Sequence, residues 1–153
     1  MSGRQLPVLV AELLAGEEQL AAALREVGQR HAAEADVVHT AHVLAEHGDA
    51  RAAQLRALGP AALVPHAPGI ARAALAGNGP DGTGLVLDLL ELYALAAWVD
   101  QGWTLLGQVA QGERDEQLLA AVGEAEQGAS KVLAWVGTRA EQAAPQAMLV
   151  PPD

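Results

Sequence analysis

Four long segments of this chain repeat apolar residues at alternating spacings of four and three, a period typical of helices that bury one face against each other. The pattern is clearest near the start of the chain, where the inward positions are, in order, Leu6, Val10, Leu13, Glu17, Leu20, Leu24, Val27 and His31. The same spacing recurs in three later segments. The sequence therefore predicts an all-α bundle of four helices, with a charged residue, Glu17, in the middle of its core.

Signals at the ends of these segments set the helix bounds. Asp36 and Thr83 are suited to cap the second and third helices, and Asp115 gives the fourth an acidic start. Pro145 predicts the end of the fourth helix. Gly48 weakens the second helix by about 1 kcal/mol relative to Ala. We predict a single domain over 1–153, with helices at about 5–33, 36–58, 83–111 and 114–143.

The stretch 59–82 is too long for an ordinary bundle turn and contains Pro60, Pro65, Pro68 and Pro80. The other two connections are short, so helices 1 and 2, and helices 3 and 4, should form antiparallel hairpins. A helix of roughly 27 residues is about 40 Å long, and the stretch can cross that length. The sequence thus predicts a long crossover between helices 2 and 3, which would make these two helices parallel.

The charge and composition of the chain narrow its partners. The formal net charge is -10, so the chain repels phosphate backbones, which argues against nucleic acid, and it repels anionic membrane surfaces. The chain contains no Cys, which excludes disulfides, thiolate metal sites and cysteine nucleophiles. A single Lys, abundant Ala and no Phe are typical of GC-rich coding sequences and indicate a high-GC bacterium.

No segment is expected to cross a membrane or direct secretion. The most apolar stretch, 84–99, carries Asp88 and Glu91, which are costly in a bilayer but ordinary in a buried helix. The apolar run near the N-terminus is interrupted by Glu12 and Glu17 before a signal-peptide core is complete. We therefore expect a soluble, cytoplasmic protein.

Residues in both halves of the chain resemble uncharacterised ferritin-like proteins of high-GC bacteria, which are distantly similar to the YciE-like stress proteins. In the first hairpin these residues are Val27, Arg30-His31-Ala32, Glu34, Asp36-Val37, His39 and Leu44-Ala45. In the second half they include Leu92-Tyr93, Trp103, Leu106-Gly107-Gln108, Arg114-Asp115, Trp135, Thr138-Arg139 and Ala143-Ala144-Pro145-Gln146-Ala147. The resemblance implies a ferritin-like four-helix bundle with one long crossover. It implies no activity, because that group has none assigned.

The middle of the bundle holds the candidate metal ligands. Di-iron proteins of ferritin-like fold use a Glu from two helices and a Glu-x-x-His motif from each of the other two, and Glu-x-x-His is absent here. Counting turns nevertheless places one set of polar residues at similar heights: Glu17, His47, Asp100 and Glu126. These could ligate iron or manganese. The competing interpretation, which we favour, is a buried Glu17–Arg51 ion pair, because a guanidinium in the same layer repels cations.

Other polar groups give weaker signals. Asp36, His39, His42 and Glu46 share one strip of helix 2, but that strip points away from the predicted core. No Ser-His-Asp motif or glycine-rich phosphate loop is recognisable. The sequence therefore gives no support for catalysis.

These features favour a non-enzymatic interaction or scaffold protein with a degenerate metal site and no cofactor. Trp98 and Trp135 project away from their apolar stripes, and a Trp outside the core commonly marks a partner surface, so we predict a homodimer that uses both. One alternative is a carboxylate-bridged di-metal protein with an oxidase, ferroxidase or iron-storage role. Another is a small-molecule binder that uses a cavity between helices, where Gly48 and the numerous Ala residues at inward positions would leave space beside the Trp residues.

Overall fold

The computed structural model describes residues 6–58 and 78–151, and within these ranges the chain forms four helices and no strand. This confirms the predicted all-α bundle. The helices are α1 (Leu6–Arg30), α2 (Ala35–Leu58), α3 (Gly82–Glu113) and α4 (Glu116–Leu149). The predicted crossover, 59–82, lies mostly outside the described residues.

The starts of α3 and α4 are capped by aspartates. Asp81 accepts a hydrogen bond from the backbone N–H of Gly84 at 2.7 Å, so the prediction that Thr83 caps α3 is wrong. Asp115 accepts one from the N–H of Leu118 at 3.0 Å and caps α4, whose start is acidic as predicted. Each carboxylate satisfies one of the free N–H groups of a first helical turn.

The predicted end of α4 is also wrong, because the helix continues through Pro145 to Leu149. Proline in a helix interior removes one backbone hydrogen bond, and its ring crowds the carbonyl four residues earlier, so it usually kinks or ends the helix. Pro145 lies on the exposed side of α4, where water can take the place of that bond. On the opposite side, Ala147 packs against Gly82, which holds the last turns on the bundle.

Ion pairs between helices show that α1 and α2 are antiparallel. Arg25, late in α1, binds Asp49 in the middle of α2, and Glu18, earlier in α1, binds Arg56 near the end of α2. The start of α2 therefore lies beside the end of α1.

Helices α1 and α3 are antiparallel as well. His31, just after α1, contacts Asp88 in the second turn of α3, whereas Glu17 contacts Trp103, four turns further along. Both α2 and α3 thus begin at the end of the bundle where α1 ends, and they run parallel. This is the direction that the predicted crossover requires, although the path of residues 59–77 lies outside the described part of the chain.

The four helices form a square in which each has two neighbours. Helix α1 packs on α2 and α3, helix α4 packs on α3 and more sparingly on α2, and the diagonal pairs make no backbone approach among the described residues. The core is built from Leu, Val and Ala, with Trp103 as its largest fully buried side chain. Gly102 brings α3 close to α1, since a Cβ there would lie 2.7 Å from Cδ1 of Leu13.

Helix α3 is long and apolar enough to span a membrane by length and composition, with a mean hydropathy of 1.4 over its most apolar window. Half of that window is buried inside the bundle. The apolar character of α3 is thus consistent with a core helix of a soluble protein.

Because the chain lacks cysteine, pairs of spin labels can test the helix directions directly. Labels at Glu34→Cys and Thr83→Cys should lie within about one interhelical spacing, on the order of 10 Å plus the label linkers. Labels at Arg56→Cys and Thr83→Cys should be separated by about 30 Å, the length of α2. Double electron–electron resonance measures both distances, and a reversal of their order would contradict the parallel arrangement of α2 and α3.

Candidate functional site

An ion pair between Glu17 of α1 and Arg51 of α2 occupies the middle of the core. The Arg51 Nε donates to Glu17 Oε1 at 2.7 Å, and a terminal guanidinium nitrogen donates to Oε2 at 3.2 Å. The side chain of Glu17 is fully buried and that of Arg51 is 7% exposed. This two-point contact confirms the ion pair predicted from the sequence, and its fork geometry is one that Arg makes and Lys does not.

Trp103 of α3 adds a third hydrogen bond to this pair. Its indole Nε1–H donates to Glu17 Oε1 at 2.8 Å. The carboxylate therefore receives donors from two other helices, and both of its oxygens are engaged. A buried carboxylate needs such partners, because desolvation without them is strongly unfavourable.

Two glycines make room for the guanidinium. A Cβ on Gly48 of α2 would lie 3.6 Å from one terminal nitrogen of Arg51, and a Cβ on Gly128 of α4 would lie 3.0 Å from the other. The second distance is tighter than an ordinary contact, so the guanidinium packs directly on the backbone of α4. The space beside Gly48 is filled by the ion pair, so it does not contribute to the interhelical cavity that a small-molecule binder would need.

Hereafter the polar centre denotes Glu17, Arg51 and Trp103. It takes one side chain from each of three helices and a glycine surface from the fourth. Its sequence signals were the two charged residues at inward positions. Trp103 was missed as a partner because an indole at an apolar position is indistinguishable from an ordinary core residue in the sequence.

The predicted metal ligands do not converge on the polar centre. His47 is exposed. Asp100 accepts a hydrogen bond from the Ser130 hydroxyl at 2.8 Å, and Glu126 accepts one from the Thr104 hydroxyl at 2.8 Å. Across the described residues, no three His, Asp or Glu side chains are grouped so as to hold a metal ion. The predicted cluster is therefore wrong, because Asp100 and Glu126 project into the α3–α4 contact while Glu17 is held by Arg51.

A second buried polar cluster, centred on Asp88, was not predicted from the sequence. His31 Nε2 and a terminal nitrogen of Arg30 both lie 2.7 Å from Asp88 Oδ2, and the side-chain amide of Asn78 donates to Oδ1 at 2.9 Å. Asp88 is fully buried and His31 is 2% exposed. The cluster joins the end of α1 to the start of α3. His31 at the last inward position and Asp88 in an apolar stretch were the available signals.

These contacts shift the proton affinities of the cluster. Burial acts to raise the pKa of Asp88, but the hydrogen bonds from Arg30, His31 and Asn78 outweigh it, and the pKa lies below its ordinary value. The hydrogen bond to Asp88 raises the pKa of Arg30 against the opposing effect of burial, and the charges of Asp88, Glu26 and Glu91 raise it further. Asp88 is therefore ionised at neutral pH despite its burial.

The two tryptophans of the predicted dimer interface lie on opposite sides of the bundle and do not share one continuous surface of a single chain. Trp98 of α3 is half-buried against Gly16 of α1, where an added Cβ would overlap its ring. Trp135 lies on the α2 side of α4, because Gly128, two turns earlier on that side, contacts α2, as does Arg139, one turn later. Sequence periodicity predicts how far each Trp lies from the apolar stripe of its helix, but not which neighbouring helix it faces.

The histidine strip of α2 is exposed, as predicted. His39, His42 and Glu46 all face solvent, and His42 Nε2 lies 3.1 Å from Glu46 Oε1. The strip has no further acid or histidine close enough to complete a metal site within the described residues.

No protein-family model, curated protein or solved structure matches the chain significantly.

Removing one member of the central ion pair should leave the other buried without a charged partner. We expect Glu17→Ala to lower the free energy of unfolding by about 3 kcal/mol, and the double variant with Arg51→Leu to recover much of that loss. Urea denaturation of the parent, both single variants and the double variant measures the coupling. Arg25→Ala, which breaks an exposed pair, serves as the control and should cost less than about 1 kcal/mol. Additive effects of the two central substitutions would contradict the contact.

Asp88 should make stability depend on pH in acid. Its folded pKa is depressed, so its contribution is complete above the unfolded value of about 3.9 and disappears as the pH falls through the folded value. Asp88→Asn should therefore lose about 2–3 kcal/mol at pH 7, and the difference from the parent should shrink below about pH 4. Asp36→Asn, at an exposed carboxylate paired with Arg139, should lose less than about 1 kcal/mol. A pH-independent effect at Asp88 would contradict the account.

Proposed function

We propose that this chain is a non-enzymatic interaction or scaffold protein of ferritin-like architecture, acting as a homodimer in the cytoplasm. The observation that carries the proposal is the position of Arg51, whose guanidinium lies in the middle of the bundle between Glu17 and Gly128. Two hairpins joined by one long connection, with α2 and α3 parallel, support the ferritin-like assignment. In that architecture the metal ions lie in the core between facing helices.

A carboxylate-bridged metal site needs an environment that attracts cations and carboxylate oxygens that are free to bind the metal. The Arg51 guanidinium removes both. Its positive charge repels a cation in the same low-dielectric layer. It also engages both oxygens of Glu17, which a bridging ligand would have to offer to the metal. Ligation by Glu17 would thus require Arg51 to leave the core, and its place between Gly48 and Gly128 would become a void.

The other acids of the midplane are also used in packing. Asp100 and Glu126 accept hydrogen bonds across the α3–α4 contact, from Ser130 and Thr104. They join two helices of one hairpin and do not face Glu17. The polar residues at the middle of the bundle therefore hold the helices together. This leaves the surface of the molecule for interactions with partners.

Metal addition tests this proposal without knowledge of the partner. In equilibrium dialysis the untagged protein should bind less than about 0.1 equivalent of Mn²⁺, which is effectively no binding. We expect this because the buried Arg51 guanidinium repels a cation at the centre of the bundle. Fe²⁺ should oxidise in its presence at the rate seen in buffer. Stoichiometric binding or accelerated oxidation that Glu17→Gln abolishes and His47→Ala does not would contradict the proposal.

A further inference from the structure

The chain contains a single asparagine, Asn78, and it is followed by Gly79 just before α3 begins. In an Asn-Gly pair the backbone nitrogen of the glycine can attack the side-chain amide carbon of the asparagine. Glycine favours this attack because it has no side chain to hinder the approach and adopts the backbone angles that the attack requires. The sequence therefore contains one position at which an amide can be lost without an enzyme.

The backbone around Gly79 leaves the attacking nitrogen accessible. Gly79 is exposed and has a φ of 78°, a left-handed conformation that favours glycine. Its N–H donates no hydrogen bond within the described residues. Gly84 allows this turn to lie directly on α3, since a Cβ there would overlap the carbonyl oxygens of Asn78 and Gly79. The reactive pair thus lies outside any helix but at a fixed place beside α3.

The side-chain amide of Asn78 is a working part of the Asp88 cluster. Its nitrogen donates to Asp88 Oδ1 at 2.9 Å, while Arg30 and His31 contact the other oxygen, Oδ2. Asp88 is fully buried, so the amide satisfies an acceptor that would otherwise lack a partner. The same hydrogen bond restrains the Asn78 side chain from turning toward the Gly79 nitrogen.

Loss of the amide is a substitution followed by a hydrolysis. The Gly79 nitrogen forms a bond to Cγ of Asn78, the bond from Cγ to Nδ2 breaks, and ammonia leaves with the proton of the Gly79 N–H. Water then opens the cyclic imide at either carbonyl, which gives aspartate or isoaspartate. An amide and a water thus become a carboxylic acid and ammonia, and no oxidant or reductant is needed.

The product of this reaction is incompatible with the Asp88 cluster. A carboxylate at residue 78 has no N–H to donate to Asp88 Oδ1, and it would bring a second negative charge to within hydrogen-bonding distance of a buried one. Two carboxylates that share a buried site repel each other strongly. Isoaspartate also lengthens the backbone and displaces the side chain. The contact between the end of α1 and the start of α3 therefore loses one of its members.

We propose that Asn78 is a deamidation site controlled by the Asp88 cluster. The closed cluster protects the amide, and deamidation while the cluster is open prevents the end of α1 from packing again on the start of α3. Opening is reversible before the conversion and irreversible after it. The fraction of converted chains therefore records how long this end of the bundle has been open. The proposal is independent of the function proposed above.

Peptide mass spectrometry tests the protection of Asn78. Untagged protein is incubated at mildly alkaline pH, folded or in urea, and conversion at residue 78 is followed over time. The folded parent should convert at least about 10-fold more slowly than the chain in urea, and folded Asp88→Ala at least about 3-fold faster than the folded parent. Asn78→Gln should not convert, because its longer side chain closes a less favourable ring.

The control Glu17→Ala separates opening of the Asp88 cluster from opening of the whole bundle. It weakens the polar centre and leaves the contacts of Asn78 intact, so its folded form should convert at about the parent rate. An acceleration as large as that of Asp88→Ala would overturn the proposal. Equal rates for the parent folded and in urea, or no conversion in urea, would overturn it as well.

Asn78→Asp reproduces the product and tests its effect without relying on Asp88→Ala. At neutral pH it should raise the equilibrium constant of unfolding at least about 10-fold more than Asn78→Ala, which loses the same hydrogen bond but adds no charge. Urea denaturation followed by circular dichroism measures both. Failure of Asn78→Asp alone to fold would be the extreme of the expected result, whereas equal effects of the two variants would overturn the proposal.

Discussion

Arg51 brings a full positive charge into the middle of a hydrophobic core, and the arrangement of the midplane follows from that placement. An isolated buried charge is too unfavourable to persist, so Glu17 and the Trp103 indole surround it with hydrogen bonds. Its volume is accommodated where Gly48 and Gly128 lack side chains. All four helices therefore contribute a residue to the surroundings of the Arg51 side chain. Replacement of that side chain by an apolar one would leave the bundle possible but would remove the feature that makes its centre unique.

Two polar contacts set the register of a core that is otherwise repetitive. Stripes of Leu, Val and Ala can slide by a turn with little change in packing, and a single buried polar contact can select one register. The polar centre aligns α1 with α2 and α3 at mid-height, and the Asp88 cluster aligns the end of α1 with the start of α3. We infer that these contacts serve specificity of folding.

The sequence correctly predicted features that follow from the apolar pattern of a single helix, or from how far along the bundle axis a residue lies. Glu17 and Arg51 both occupy inward positions at matching heights, and their ion pair was predicted correctly. The Asp88 cluster was missed because it depends on which helices are neighbours, and Trp98 and Trp135 were assigned to one surface for the same reason. The predicted end of α4 at Pro145 is wrong because the sequence does not show that Pro145 lies on the exposed side of the helix. Asp100 and Glu126 stand at the right height but project toward each other's helix, away from Glu17.

The most direct measurement of the central claim is the exchange of the Arg51 Nε proton with solvent, followed by nitrogen-15 NMR and assigned with Arg51→Leu. A guanidinium held against Glu17 in the core should show a resolved Nε–H signal that exchanges at least about 100-fold more slowly than that of Arg25, whose partner Asp49 is exposed. The Trp103 indole N–H should be protected to a similar degree, and Glu17→Ala should remove the protection of both. An Arg51 Nε proton that exchanges as fast as that of Arg25 would show that the guanidinium does not occupy the centre of the bundle.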